Sequence, residues 1–189
     1  MMNWEYLPTI TADRVSLRQV TERDIDSLFE IFSDPEVMRY WSSPPLEDLE
    51  AARRLLADIR DKFHRRLYFQ WGIARRVDDT LIGTSTLFHI ESNNYRAEIG
   101  YALGRAHWGK GFIQEALTAL LGYAFGELNL RRVEADVDPR NERSIRTLER
   151  LGFKKEGYLR ERWEVNGEVQ DALFYGLLRS EWEAVAKAV

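Results

Sequence analysis

The stretch RAHWGKGFIQEALTALLGYAF, Arg105 to Phe125, sets Gly109 and Gly111 around Lys110 directly before a long amphipathic run. Glycine tolerates positive φ and lets a ligand approach the backbone without a Cβ clash. The first N–H groups of a helix and its macrodipole then favour an anion, a phosphate above all. Lys110 adds a charge beside them. Two familiar phosphate loops do not fit. A P-loop needs G-x-x-x-x-G-K-[ST], whereas Phe112 follows a lone G-K-G. A dinucleotide fingerprint needs a third glycine after a parallel βαβ strand, and position 114 is Gln114.

A helix that presents such a turn must be held firmly. Phe112, Ile113, Ala116, Leu117, Leu120, Leu121, Ala124 and Leu128 recur at helical spacing and predict a wide buried face. Around that helix the chain predicts an α+β fold: a mostly antiparallel sheet flanked by helices. RVSLRQV (14–20), LYFQWGIARRV, LIGTSTLFHI, RAEIGYALG (96–104) and RRVEADV read as strands. Thr21 predicts an N-cap with Asp24 three residues on, followed by Ile25, Leu28, Phe29 and Phe32 at helical spacing. LEDLEAARRLLADIRDKF reads as a helix, and another runs from about Asn141 to Leu151, ended by Gly152. YLRERWEV and EVQDALFYGLL form a terminal strand pair whose Asn166-Gly167 junction predicts a type I′ hairpin turn.

Composition bounds the function. The 189 residues are 44% hydrophobic and 31% charged, with a net charge of -4, the profile of one soluble globular domain over 1–189 with a core from about 14 to 182. The acidic balance argues against nucleic acid as partner. No cysteine is present, which excludes disulfides, thiolate metal sites and a cysteine nucleophile. His64, His89 and His107 lack metal-ligand spacing, so no metal is expected. No membrane-length apolar run and no signal-peptide pattern are visible, so a cytoplasmic location is the expectation.

The order EIGYAL, HWGKGFIQEAL, DPRNERSIRTLERLGFKKEG resembles the GNAT superfamily of acyl-CoA-dependent N-acyltransferases. The early DPEVMRYW and the late VNGEVQDALFYGLLRSEW are similar to its ribosomal-protein alanine N-acetyltransferase (RimJ/RimL-like) branch. The resemblance extends from about Val15 to Trp182. One departure stands out: the family's Q/R-x-x-G-x-G/A signature begins here with Ala106, leaving the phosphates to backbone amides.

The resemblance implies a GNAT-like fold with splayed central strands and acetyl-CoA as co-substrate. The pyrophosphate would sit on the turn from His107, Trp108, Gly109, Lys110 and Gly111 to Phe112 and Ile113. The pantetheine arm would lie along the fourth strand, at Ile99, Tyr101 and Leu103. An N–H of that strand would polarise the thioester carbonyl. The family's N-x-x-S falls on Asn141 and Ser144, with Asn141 at the coenzyme arm or as a helix cap and Ser144 giving a proton or hydrogen bond to the departing thiolate. Glu98, at the start of the strand, is the candidate base. Tyr40, Trp41 and Trp163 are candidates for the acceptor pocket; alternation puts Asp171 on a strand face with Leu173 and Tyr175, where it is a candidate to orient an amine or to bond backbone. The pattern that places an acidic residue in the hairpin's first strand meets Trp163 here. Glu164 beside it faces the other way and takes no such role.

The implied reaction is acetyl transfer to a small-molecule or peptide amine, without nucleic acid or membrane, by direct attack in a ternary complex. An α-amine with pKa near 8 is about one-tenth neutral at pH 7, whereas a lysine amine is neutral only about once in 2,500. A peptide N-terminus therefore needs only a modest base. A non-catalytic acyl-CoA-binding module with the same fold is the alternative. The resemblance also suggests a homodimer.

Overall fold

In the computed structural model, which describes residues 5–165 and 167–186, eight strands form one sheet in the order β1-β2-β3-β4-β5-β6-β8-β7. The strands are β1 (Ile10–Thr11), β2 (Val15–Gln19), β3 (Tyr68–Arg75), β4 (Leu81–Glu91), β5 (Arg96–Leu103), β6 (Arg132–Val137), β7 (Lys154–Val165) and β8 (Glu168–Leu178). Neighbours are antiparallel except β5 and β6, which run parallel. The short β1, which alternation did not reveal, makes the coenzyme strand of the sequence reading fifth rather than fourth. Asn166 of the expected hairpin turn lies outside the described residues; Gly167 has a φ of 79°.

The helices are α1 (Ile25–Ser33), α2 (Pro35–Met38), α3 (Leu49–His64), α4 (Phe112–Gly126), α5 (Glu142–Arg150) and α6 (Arg179–Ala186). Their ends follow local chemistry. Thr21 and Asp24 form a capping box, though the turn they open is 3₁₀ before it becomes α1. Asp48 caps α3 by accepting from the Ala51 amide at 2.7 Å. Gly152, with a φ of 91°, ends α5, and the Phe153 amide reaches back to the Leu148 carbonyl, a Schellman closure.

The sheet divides the core. On one face α4 buries Ala116, Leu117, Leu120 and Leu121 against Leu17, Trp71, Ile99, Leu103, Val133 and Tyr175. On the other, Leu28 and Ile31 of α1 and Ala52 and Leu56 of α3 pack with Val20, Leu81 and Ala102. Side chains alternate between faces along a strand. The odd-numbered residues of β5 therefore turn toward α4, and Glu98, Gly100 and Ala102 turn toward the α1 face.

Candidate active site

The parallel β5–β6 ladder holds only three pairs, Arg96↔Arg132, Ala97↔Val133 and Glu98↔Glu134. On its other edge β5 stays paired with β4 from Glu98 to Leu103. Beyond Glu98 the two parallel strands therefore part. The Gly104 amide donates to the Ile82 carbonyl. By strand alternation, the even-numbered residues of β5 aim their backbone groups at β4, and Ile99, Tyr101 and Leu103 aim theirs into the gap. The Leu103 carbonyl is already taken by the Trp108 indole at 2.7 Å. Ile99 and Tyr101 supply the edge that remains.

The carboxyl ends of β5 and β6 lead into the turns before α4 and α5, so both helix N-termini stand at the open end of the gap, where parallel strands commonly bind ligands. Gly109 and Gly111 have φ of 71° and 80°. A Cβ on Gly109 would meet nothing within 4 Å, and one on Gly111 would touch only the Arg14 guanidinium at 3.2 Å. The turn is an open cradle, shaped by backbone, that a side chain would fill. Burial, then the charges of Arg75 and Lys110, depress the His107 pKa. His107 packs its ring against Phe112, 6.1 Å between centroids. Lys110 is exposed and Ile113 leans on the α4 core.

Arg14 braces this turn, and no spacing in the sequence pointed to it. Its Nε donates to Glu115 at 2.7 Å and its Nη1 to the Lys110 carbonyl at 3.0 Å, a contact spanning 96 residues. Its guanidinium also lies 4.8 Å from the centre of the Phe112 ring. Burial would raise the Glu115 pKa, but the Arg14 bonds outweigh it and hold that carboxyl low. Arg143 covers the Trp108 ring at 4.3 Å.

Asn141 caps α5, its Oδ1 accepting from the Ser144 amide at 3.2 Å. Ser144 Oγ lies 2.8 Å from the Tyr101 hydroxyl. Burial pushes the Tyr101 phenol up to about 12, against a smaller opposite effect of Ser144. A phenol so placed stays protonated and can donate. The sequence reading used Tyr101 only for its backbone; its side chain is a missed member of the site.

Glu98 lies on the opposite face of β5, where His89 Nδ1 approaches its Oε1 at 2.9 Å. His89 reaches it because β4 bulges between Phe88 and Glu91, with a φ of 46° at His89. Across the end of the ladder, Glu134 is bound by Arg96 and Arg132.

The four acceptor-pocket candidates separate. Tyr40 lies between the Arg39 and Arg140 guanidinium groups, at 5.4 and 6.0 Å. Arg140 also binds Glu168 at the start of β8, tying Tyr40 to the terminal hairpin. Trp163 is 42% exposed under Arg162. Its partner Gln170 shares the strand face of Phe174, and Phe174 pairs with Asp136. Trp41 is half-buried against Phe32 and the α1 core, a packing residue. Asp171 is engaged elsewhere. It lies opposite a bulge, 160–162, on the face of β8 that carries Leu173 and Tyr175. Its Oδ1 accepts from the Glu161 amide at 2.7 Å and its Oδ2 from the Tyr158 hydroxyl. Those bonds, Tyr158 first and the Glu161 amide next, lower its pKa. Glu161, at a φ of 52°, needs that clamp.

A parallel pair that splays beside a glycine turn at a helix N-terminus, with proton-carrying side chains on both faces, defines an acyl-coenzyme A transferase type of site. Residues 14–154 match the acetyltransferase (GNAT) domain, and the chain belongs to that family. It is 40% identical to an uncharacterised N-acetyltransferase, p20, of Bacillus licheniformis over 93% of this chain and 99% of that protein. It is 27% identical to the [ribosomal protein uS5]-alanine N-acetyltransferase of Escherichia coli, over 92% of each. The crystal structure of spermidine N-acetyltransferase from Vibrio cholerae in complex with CoA and spermine is 25% identical and superposes with a TM-score of 0.78, covering 90% of this chain and 98% of that one.

Proposed function

We propose that this chain transfers an acetyl group from acetyl-CoA to a primary amine by direct attack in a ternary complex, and that the amine is a peptide N-terminus, as in the RimJ/RimL-like branch. The observation that carries the reading is the free edge of β5 beside the Gly109–Gly111 cradle. Backbone amides of the cradle and the α4 N-terminus would hold the pyrophosphate, with Lys110 adding charge. The backbone of Ile99 and Tyr101 would pair with the pantetheine arm, and an N–H there would meet the thioester oxygen, stabilising the charge that builds on attack.

The two faces of β5 divide the proton work. Glu98, backed by His89, would take a proton from the incoming ammonium group, so that the neutral amine attacks the thioester carbon. As the carbon–sulfur bond breaks, the Tyr101–Ser144 hydroxyl pair would donate to the departing thiolate. The net change is one amide and one thiol formed and one proton released. A peptide acceptor suits the modest base, because an α-amine is far more often neutral at pH 7 than a lysine amine.

The experiment follows thiol release with acetyl-CoA and two amines, an alanine-initiated peptide and spermidine, and measures acetyl-CoA binding by calorimetry. Intersecting double-reciprocal lines are expected, since direct attack requires both substrates bound; parallel lines would mark a covalent acyl-enzyme. Gly109→Ala should weaken acetyl-CoA binding at least about tenfold, roughly 1.4 kcal/mol. Its fold should lose only about 1–2 kcal/mol, the cost of a Cβ in left-handed backbone. Binding without turnover of any amine would favour the coenzyme-binding module instead. Preference for spermidine over the peptide would remove the N-terminus as acceptor.

A further inference from the structure

Asp136 is a largely buried carboxylate beside the gap, with only one of its two oxygens bonded. Its side chain is 11% exposed. Oδ2 accepts from Arg162 Nε at 3.2 Å. Oδ1 is buried and has no donor among the described residues. Leaving a buried acceptor without a donor is unfavourable, and more so when the group is charged. Glu134, two residues earlier on the same face, shows the contrast: Arg96 takes one of its oxygens and Arg132 the other.

Position gives the unbonded oxygen a meaning. Asp136 lies two residues beyond the last β5–β6 pair, so it stands on the lip of the gap. Strand alternation from Glu134, which pairs with Glu98, turns Asp136 and Glu98 to the same face. The strands part beyond Glu98, so the two carboxylates face one gap from its opposite lips. Phe174 opposite Asp136 adds an aromatic wall, and Trp163 flanks Arg162. The bulge at 160–162 aims Arg162 onto Oδ2 and leaves Oδ1 unbonded.

We infer that the Asp136 carboxylate turns to offer Oδ1, buried in this structure, to the acceptor's ammonium group and so selects cationic primary amines; this rests on the acetyltransferase reading above. Asp136 holds one N–H of the ammonium while Glu98 removes another proton as the amine turns to attack. Arg162 competes for the same carboxylate.

The test uses the full chain, acetyl-CoA and whichever of spermidine or an alanine-initiated peptide is acetylated. Asp136→Asn should raise KM for the amine about 10- to 100-fold, matching the loss of a charged hydrogen bond. Its kcat should stay within about threefold and its acetyl-CoA affinity should not change, because the coenzyme contacts proposed above are backbone groups of β5 and of the Gly109–Gly111 turn. Asp136→Glu should recover most of the amine KM. Arg162→Gln should lower that KM about two- to fivefold by removing the competing cation. An unchanged KM in Asp136→Asn would overturn the inference, as would a fall in kcat alone. A KM rise of equal size in Arg162→Gln would make the pair a structural bridge and overturn it too. If Asp136→Asn fails to fold, Asp136→Glu and Arg162→Gln still decide between these outcomes. If the native chain acetylates neither amine while still binding acetyl-CoA, the transferase reading itself fails and the role of Asp136 falls with it.

Discussion

Asp24 and Asp136 are both largely buried aspartates, and the chain treats them oppositely. Asp24 accepts from Arg18 Nη1 and Nη2 at 2.8 Å each, from the Thr21 amide at 2.8 Å and from the Thr21 hydroxyl at 3.0 Å. Arg18 in turn binds Asp79 in the turn between β3 and β4. Both oxygens are bonded, one donor on Oδ1 and three on Oδ2, and the result pins β2, the entry to α1 and the β3–β4 turn to one another. Asp136 has one long bond, and its buried Oδ1 has no donor among the described residues. A fully bonded buried carboxylate can only hold structure, while a half-bonded one retains free energy that a ligand can release. Glu98 falls between them, with one histidine partner and a 15% exposed side chain.

The comparison breaks first on stability. Asp24→Asn removes the more buried of the two carboxylates that Arg18 binds and leaves Asp79, so it should destabilise the fold by about 1–3 kcal/mol, read from denaturant midpoints at constant m. Acid should act in the same direction. Burial alone would raise the Asp24 pKa, but the Arg18 bonds and then the Thr21 amide reverse that and hold it below the ordinary value. A lowered folded pKa contributes stability above the unfolded value, near 4, and that contribution is lost as pH falls through the lower folded one. The wild type should therefore lose stability in that acid window, and Asp24→Asn should show a shallower loss there. A variant as stable as wild type at pH 7 would erase the distinction between the two aspartates.

Glu98 should separate activity from stability. Glu98→Gln should lower kcat/KM about 100-fold near pH 7, within the usual range for a general base, while costing less than about 1 kcal/mol of stability because its partner His89 is exposed. A base works only when deprotonated, and it is needed only while the amine is protonated. The loss should be greatest at low pH and should shrink as pH approaches the amine's own pKa. Wild-type rates from pH 6 to 9 would remove Glu98 from the chemistry and leave deprotonation to water.

What the sequence disclosed was local. Gly109 and Gly111 announce positive φ, Asn141 announces a cap, and Gly152 announces a helix end, because each of these depends on a few neighbouring residues. Alternation placed seven of the eight strands in outline, missing β1 and the first residues of β7. What it missed was made by distant pairing or by irregular strands. Arg14 reaches Lys110 across 96 residues, and Tyr101 meets Ser144 across 43. His89 meets Glu98 only because β4 bulges, and Asp171 is used up only because residues 160–162 are extruded opposite it. A bulge shifts every face beyond it by an amount that the pattern of residue types does not record. That is why alternation left Asp171 between orienting an amine and bonding backbone, and the structure shows the backbone bond; Asp136, inside the plain strand RRVEADV, drew no notice.

The smallest effect tests whether a satisfied group must be structural. Ser144 and Tyr101 bond each other at 2.8 Å, yet both stand at the gap through which a thiolate would leave. A thiol of pKa about 8.5 or somewhat higher is a fair leaving group, so help at that end is worth little more than one hydrogen bond, about 0.5–1.5 kcal/mol. Ser144→Ala and Tyr101→Phe should each lower kcat by up to about tenfold. The double variant should lose scarcely more than either single one, because removing either breaks the same donor chain. The deficit should stay level from pH 6 to 9, since the Tyr101 phenol, raised to about 12, keeps its proton throughout. Additive losses would mean that the two hydroxyls act on different atoms. Unchanged kcat in all three variants would make the pair packing alone, and would restore the simpler rule that only unsatisfied groups in this protein meet substrate.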